Sequence, residues 1–295
     1  MYMPHNISTS DIQKYTKSIS DTKTTEVSNL QNHIQEILGD THHTFLQGSY
    51  KNDTSISDIN DVDIVAIRLQ TYSGTHSTQP VSSSIMWDTI FSEIEQKLKN
   101  QRLYTWTVTR KDKCIEVNTN TFKADVTPAV QIGTDPKEDP IAIYSFRTGI
   151  EKINSPRVHH KNGVAKHAVT KQNYKPIVRM FKNWTNNHFS SKSPVSSYHI
   201  ESLVHVNPNE HFYNDHAISF VIVGNHIKDL VKNHNVFSPA IPSVCGTENI
   251  MTNWSLADRQ IFTQKLEQSL GLVLQALKEP TAQNAKYYWN QAFNL

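Results

Sequence analysis

The chain has 295 residues and a formal net charge of +2 with histidine neutral, long enough for one large domain or two lobes with a sizeable core and too weakly basic to carry the electrostatic footprint of a strong nucleic-acid binder. Its two cysteines, Cys114 and Cys245, stand far apart, so no disulfide framework or Cys/His zinc spacing follows, and a reducing compartment is the default. No apolar run approaches ~18 residues and the N-terminus has no apolar signal core, so a cytoplasmic protein without a membrane segment is expected.

Residues 1–7 read as disordered. Ser8, Thr9 and Ser10 offer N-caps, and Ile12, Tyr15 and Ile19 recur at helical spacing. Val27, Leu30, Ile34, Ile37 and Leu38 continue that face until Gly39. The region reads as one long helix, or as two with a break near Ser20-Asp21.

Phe45 to Leu69, FLQGSYKNDTSISDINDVDIVAIRL, is the stretch around which the rest is organised. Gly48-Ser49 is a small-residue turn in which backbone can approach a ligand closely, and the Ser49 hydroxyl and N–H suit phosphate oxygens. A polar loop, Tyr50 to Asn60, follows. Asp61 and Asp63 then lead into the apolar run Ile64 to Leu69, a buried strand. Alternation along a strand puts both carboxylates on one face and Val62 on the other. Two hard oxygen ligands at that spacing suit Mg²⁺, although Asp-x-Asp alone more commonly marks a solvated strand end.

Thr71 to Ser84, rich in Ser and Thr with Gly and Pro, reads as a loop. Ile85, Ile90, Phe91, Ile94 and Leu98 mark an amphipathic helix whose basic end, Lys97 and Lys99, suits its dipole. Leu103 to Arg110 and Lys113 to Val117 read as paired strands around a Lys111-Asp112 turn. Phe122 to Ala129, FKADVTPA, reads as a short strand stopped by its proline, with Ala124 and Val126 on one face and Asp125 on the other. If that strand lies beside the first, Asp125 completes a three-carboxylate cluster. Such a cluster can hold two Mg²⁺ ions roughly 3.5–4 Å apart for phosphoryl transfer.

Thr134 to Pro140 is a polar loop and Ile141 to Phe146 a further strand. The strands and helices mix without regular βαβ alternation, as in an α/β (α+β) lobe with a mixed sheet. Beyond Ser155-Pro156 the periodicity is helical: Lys161 to Asn187, Val195 to Val206, His216 to Val231 and Leu256 to Leu277 are the candidate helices. NPNEHF and FSPAIPSVCGTEN are loops between them. The expected organisation is a catalytic lobe with an N-terminal helix over 1–154 and a helical lobe over 155–295. The fifteen histidines form no metal-ligand pattern, and Trp87, Trp106, Trp254 and Trp289 read as core rather than base platforms.

Gly-Ser, then Asp-x-Asp, then a distant Asp on another strand resembles the active-site pattern of the polymerase-β-like nucleotidyltransferases. The phrases LQGSYKNDTSI…DVDIVAI, KADVTPAV, YKPIVRMFKNW, SSYHIESLVHV and AKYYWNQAF resemble one branch, the cGAS/DncV-like nucleotidyltransferases (CD-NTases), with the oligoadenylate synthetases as relatives. Each phrase alone is weak; five in family order, spanning residues 46 to 293, are specific.

The resemblance implies a bilobal fold with the active site in the cleft between lobes, and a long N-terminal helix bracing both. It implies donor NTP, ATP among the candidates, with its triphosphate on Gly48, Ser49 and Lys182. The N-terminus of the helix that Ser196 caps is an anion site, where Ser197 would meet phosphates and Tyr198 would stack on the donor base. Arg179 is a further nucleotide-binding candidate or the partner of a carboxylate. On the residues alone, Lys175, Arg179 and Lys182 form a basic stripe of the kind that is usually solvated, and Tyr198 reads as an ordinary core aromatic. Asp61 and Asp63 would ligate the Mg²⁺ of the triphosphate, and Asp61, Asp63 and Asp125 a second Mg²⁺ that lowers the pKa of the acceptor hydroxyl, with Mn²⁺ as a substitute.

A cyclic di- or trinucleotide second messenger is then the implied product, serving bacterial anti-phage defence (CBASS) through an effector that recognises the product rather than this protein. The animal cyclic GMP-AMP synthase carries a DNA-gripping zinc insertion; nothing here resembles it, so neither that activation nor strong nucleic-acid binding is expected. A linear oligoadenylate synthetase-like or RNA- or protein-nucleotidylating enzyme, and an inactive nucleotide-binding protein, are the alternatives. Near-neutral charge argues against the first, and the intact Gly-Ser and three Asp against the second.

Overall fold

The structure, a computed structural model, describes residues 5–56, 61–80, 86–102, 104–190, 193–235 and 237–295. The polar-loop residues 57–60, the loop residues 81–84, Ile85, Leu103 and the first four residues of the expected disordered terminus lie outside these. In chain order the helices and strands are α1 (Thr9–Thr16), α2 (Asp21–Leu38), β1 (His42–Gln47), α3 (Gly48–Asn52), β2 (Asp61–Tyr72), α4 (Trp87–Asn100), β3 (Thr107–Arg110), β4 (Ile115–Asn118), β5 (Lys123–Gln131), β6 (Ile141–Ser145), β7 (Ile150–Asn154), α5 (Pro156–Val169), α6 (Tyr174–His188), α7 (Ser197–His205), α8 (His216–Lys232), α9 (Leu256–Lys278) and α10 (Ala282–Ala292). Contacts divide the chain into a helical unit, Met1–Ser18, Thr54–Ser57 and Lys161–Leu295, and a sheet unit, Ile19–Asp53 and Asp58–His160. The first helix and a short piece after α3 thus group with the helical unit, where a purely linear division at 154/155 would keep them with the sheet.

In the sheet unit the strand order is β1-β2-β5-β4-β3, with β6 joining β5 farther along and β7 joining β6. β2 and β5 are parallel and the other pairs antiparallel. Alternation sorts the side chains. Val62, Ile64 and Ala66 of β2, Ala124 and Val126 of β5, and Ile115 and Val117 of β4 share a core with Val27, Leu30, Ile34 and Leu38 of α2 and with Ile90, Phe91, Ile94 and Leu98 of α4. The opposite face holds a smaller cluster of Val65, Ile67, Ala129 and Ile141.

Several boundaries differ from expectation for identifiable reasons. The N-terminal region is two helices, because the Ser20 side chain accepts from the Lys23 N–H and starts α2 afresh. Pro128 does not stop β5. That strand pairs with β4 only as far as Val126 and with β6 from Ala129, so the proline falls where the ladder on that side changes partner and a missing N–H is tolerated. β7 was not expected; its residues are mostly exposed, which leaves no apolar alternation. The single helix expected over 161–187 is α5 and α6. Lys171 and Gln172 between them take φ of 51° and 68°, and the Thr170 hydroxyl accepts from the Tyr174 N–H.

In the helical unit, Ile177, Met180, Phe181 and Trp184 of α6 are fully buried among Phe220, Phe262, Leu266, Trp289 and Phe293. Trp254 and Trp289 are core, as expected, and Trp87 and Trp106 pack against the sheet-unit core. α10 was also missed, although Thr281 caps it and Ala285, Trp289 and Ala292 form its buried stripe.

The alternation of β2 is open to direct test. Ile64, fully buried, should lose about 2–5 kcal/mol as Ile64→Ala. Asp61→Asn, three residues away with a side chain 66% exposed, should leave the urea midpoint unchanged or raised.

Candidate active site

The β2/β5 ladder decides what the Asp-x-Asp pair faces. Asp63 is the Cα partner of Asp125, and Asp61 that of Lys123. In the flanking strands Gln47 opposes Asp63 and Glu116 opposes Asp125. Directly opposed residues share a face, so a row across four strands reads Gln47, Asp63, Asp125, Glu116. The structure therefore brings together the three carboxylates picked out in the sequence. It adds a fourth, Glu116, and a cation, Lys123, that sequence reasoning passed over; only the strand register could have revealed them.

The row is unevenly solvated. Asp61 is open, whereas Asp63 and Asp125 are half-buried. Asp125 Oδ1 is buried without a hydrogen-bond partner. The Cys114 thiol is pushed up to about 12 by burial first and then by the charge of Asp125, to which it donates. It therefore stays protonated. Tyr50 is likewise raised to about 12, by burial and then by Asp61. Burial alone would lower the Lys123 pKa, but the combined field of Asp61, Asp125 and Glu116 outweighs it and the pKa is raised.

Gly48 opens α3 at φ +68°, and a Cβ built there would collide with Asp63 Oδ2. The backbone of the Gly48-Ser49 turn is thus packed against a carboxylate of the row, in a conformation that L side chains adopt with difficulty. Among the described residues no group of three or more His, Cys, Asp or Glu side chains is placed so as to hold a metal ion. The donor set nevertheless suits a hard divalent cation: three carboxylates at one end of a parallel strand pair, one of them with a buried oxygen lacking a partner.

In the helical unit the expected basic stripe of α6 is not solvated: Lys175, Arg179 and Lys182 are 9%, 6% and 3% exposed. α6 runs through the middle of its unit, so its charged heads need partners. Lys182 Nζ donates to Glu201 Oε1 at 2.5 Å, Thr54 Oγ1 at 3.0 Å and the Thr54 carbonyl at 3.1 Å, which engages all three ammonium protons. Arg179 Nε donates to the Thr16 carbonyl at 2.7 Å, tying the end of α1 to α6.

Ser196 is the N-cap of α7, in a capping box with His199. Ser197 is exposed in the first turn. Tyr198 is half-buried; its hydroxyl donates to Glu248 Oε2 at 3.2 Å, and burial raises its pKa. Tyr198 also packs against the helical core.

The model of the cGAS/DncV-like nucleotidyltransferase C-terminal helical domain matches residues 161–271, starting where the long segment of the helical unit starts. The cyclic dipurine nucleotide synthase of Elizabethkingia meningoseptica is 31% identical over 236 residues, covering 70% of this chain and 79% of that protein. The chain belongs to the cGAS/DncV-like nucleotidyltransferase family. The cyclic UMP-AMP synthase of Rhodothermus marinus is 30% identical over 201 residues, 62% of this chain and 69% of that one. The solved structure of the Elizabethkingia meningoseptica CdnE cyclic dinucleotide synthase with GTP and Apcpp superposes with a TM-score of 0.71 at 28% identity, covering 90% of this chain and 99% of that one. The mixed sheet and helical C-terminal part are thus those of a CD-NTase, an enzyme fold of nucleotidyl transfer.

Two substitutions probe this arrangement. Gly48→Ala should lower nucleotidyl transfer on the order of 10²-fold by displacing Asp63, at a stability cost of only about 1–2 kcal/mol; thermal melts beside initial rates separate the two effects. Lys182→Met should destabilise by about 3–5 kcal/mol in urea, because it removes the buried ammonium that donates to the Glu201 carboxylate. An unchanged midpoint would contradict the ion pair.

Proposed function

We propose that this CD-NTase joins NTPs by in-line transfer at the α-phosphorus and closes the product into a cyclic di- or trinucleotide second messenger. The observation that carries the reading is the register of Asp63 with Asp125, with a buried Asp125 oxygen that has no hydrogen-bond partner and with Gly48 packed on Asp63. Its relatives are named as cyclic UMP-AMP and cyclic dipurine nucleotide synthases, which supports a cyclic product.

Asp61, Asp63 and Asp125 would hold two Mg²⁺ ions, or Mn²⁺ in their place. Bound there, the metal would neutralise phosphate charge and favour the deprotonated acceptor hydroxyl. Gly48 and Ser49 offer the backbone and hydroxyl that receive the triphosphate. Ser197 gives an exposed hydroxyl and N–H at a helix start, and Tyr198 a ring face for the donor base, which stacking would stabilise by about 1–3 kcal/mol. Arg179 acts by holding α1 in place. Lys182 reaches a phosphate only by exchanging Glu201 and Thr54 for it. Fixed geometry and charge neutralisation then supply most of the rate.

The setting proposed is bacterial anti-phage (CBASS) signalling in the cytoplasm, with an effector that reads the product. Two free cysteines, and the lack of a helix long and apolar enough to cross a membrane among the described residues, are consistent with that setting.

Incubation with the four NTPs and Mg²⁺, followed by mass analysis, tests the reading. The expected product resists phosphatase and 3′-exonuclease and yields to an endonuclease, and the Asp61→Asn/Asp63→Asn double variant makes none. A ladder with phosphatase-sensitive 5′ triphosphates would establish a linear synthetase instead, and label confined to added RNA or protein a transferase.

A further inference from the structure

The face that carries the three carboxylates also carries a lysine and a fourth carboxylate to which the proposed reaction gives no role. Lys123 is the Cα partner of Asp61 on one side and of Asn118 on the other, and Glu116 is the partner of Asp125. Lys123 Nζ lies 3.7 Å from Asp61 Oδ1 and 3.4 Å from Glu116 Oε2. The two acceptors differ in how they are held. Glu116 is 15% exposed and is fixed by Asn118 Nδ2 at 3.1 Å and Lys111 Nζ at 3.6 Å. Asp61 is 66% exposed.

Four carboxylates on three adjacent strands repel one another, and Lys123 is the cation set among them. A lysine ammonium is a compact charge on a flexible stem. With both acceptors already within 4 Å, it can pass from one to the other without backbone movement.

We propose that Lys123 is the resident counter-ion of the carboxylate row: it bridges Asp61 and Glu116 in the metal-free protein, competes at Asp61 with the divalent cation, and withdraws onto Glu116 alone when the cation binds. This rests on the reading of Asp61, Asp63 and Asp125 as the metal-holding carboxylates. Its consequence is that a divalent cation loads weakly on the protein alone and firmly with a triphosphate, whose negative charge tips the exchange. Glu116 and Lys123 are positioning residues; they act through Asp61.

The test is calorimetric titration of the full chain with Mn²⁺, without nucleotide, at fixed ionic strength. Lys123→Met should bind Mn²⁺ roughly tenfold more tightly, the effect of removing one unit charge about 6 Å from a divalent cation in a water-like dielectric. Lys123→Arg, which keeps the charge, should stay near wild type. Glu116→Gln should weaken binding by roughly threefold, since Lys123 then stays on Asp61. That loss should be smaller in the Lys123→Met background, where only the direct field of the Glu116 charge is removed. Unchanged or weaker binding by Lys123→Met overturns the proposal, as does a Glu116→Gln loss just as large without the lysine. Asp61→Asn/Asp63→Asn should bind no Mn²⁺ at this site. If it binds like wild type, the metal assignment fails and this inference with it; if it loses binding while Lys123→Met is unmoved, only the role of Lys123 falls.

Discussion

The parallel pairing of β2 with β5 is the constraint on which the sheet unit depends. Asp63 and Asp125 are 62 residues apart in numbering, and only the ladder makes them neighbours. A slip of one residue would turn every side chain of one strand to the other face. What resists the slip is the back of the same strands. Val62, Ile64 and Ala66 alternate with the acids of β2, and Ala124 and Val126 flank Asp125; all five are buried against α2 and α4. The placement of the carboxylates is thus enforced by apolar burial on the opposite face.

Charge is handled differently in the two units. On the sheet the acids stay partly solvated, accompanied by Lys123 and by a thiol and a phenol kept protonated, so the row can gather negative charge without a closed cage. In the helical unit Lys182 and Glu201 are almost fully buried and pair with each other, with Thr54 taking the other two protons of the ammonium. Removing two charges from water is costly unless every donor finds an acceptor. Here the three donors of Lys182 do. The arrangement joins Thr54 to α6 and α7 within one unit.

Much of the fold was legible because strongly periodic segments leave few choices. Leu30, Ile34 and Leu38, or Ile90, Ile94 and Leu98, have one helical solution, and α2 and α4 follow it. Elements that depend on a neighbour were harder to read. Pro128 looks like a stop until β5 is seen to change partner beside it. β7 exists because β6 offers it a ladder, since its own side chains are mostly exposed. The basic residues of α6 look solvated at spacings of three and four, yet that helix is surrounded on all sides.

By itself the sequence determined the residue types and their faces: that the apolar run after Asp63 is a strand, that Asp61 and Asp63 share one side of it, and that Asp125 takes the side away from Ala124 and Val126. Those properties are local, set by the two-residue period of a strand. The tertiary structure alone decided that the two strands are neighbours in this register and that Glu116 and Lys123 stand in the same patch. It also decided that Gly48 lies against Asp63 and that Lys182 faces Glu201. Each of these is a pairing between distant segments, selected by which apolar faces can be buried together, and no short stretch of chain carries that information.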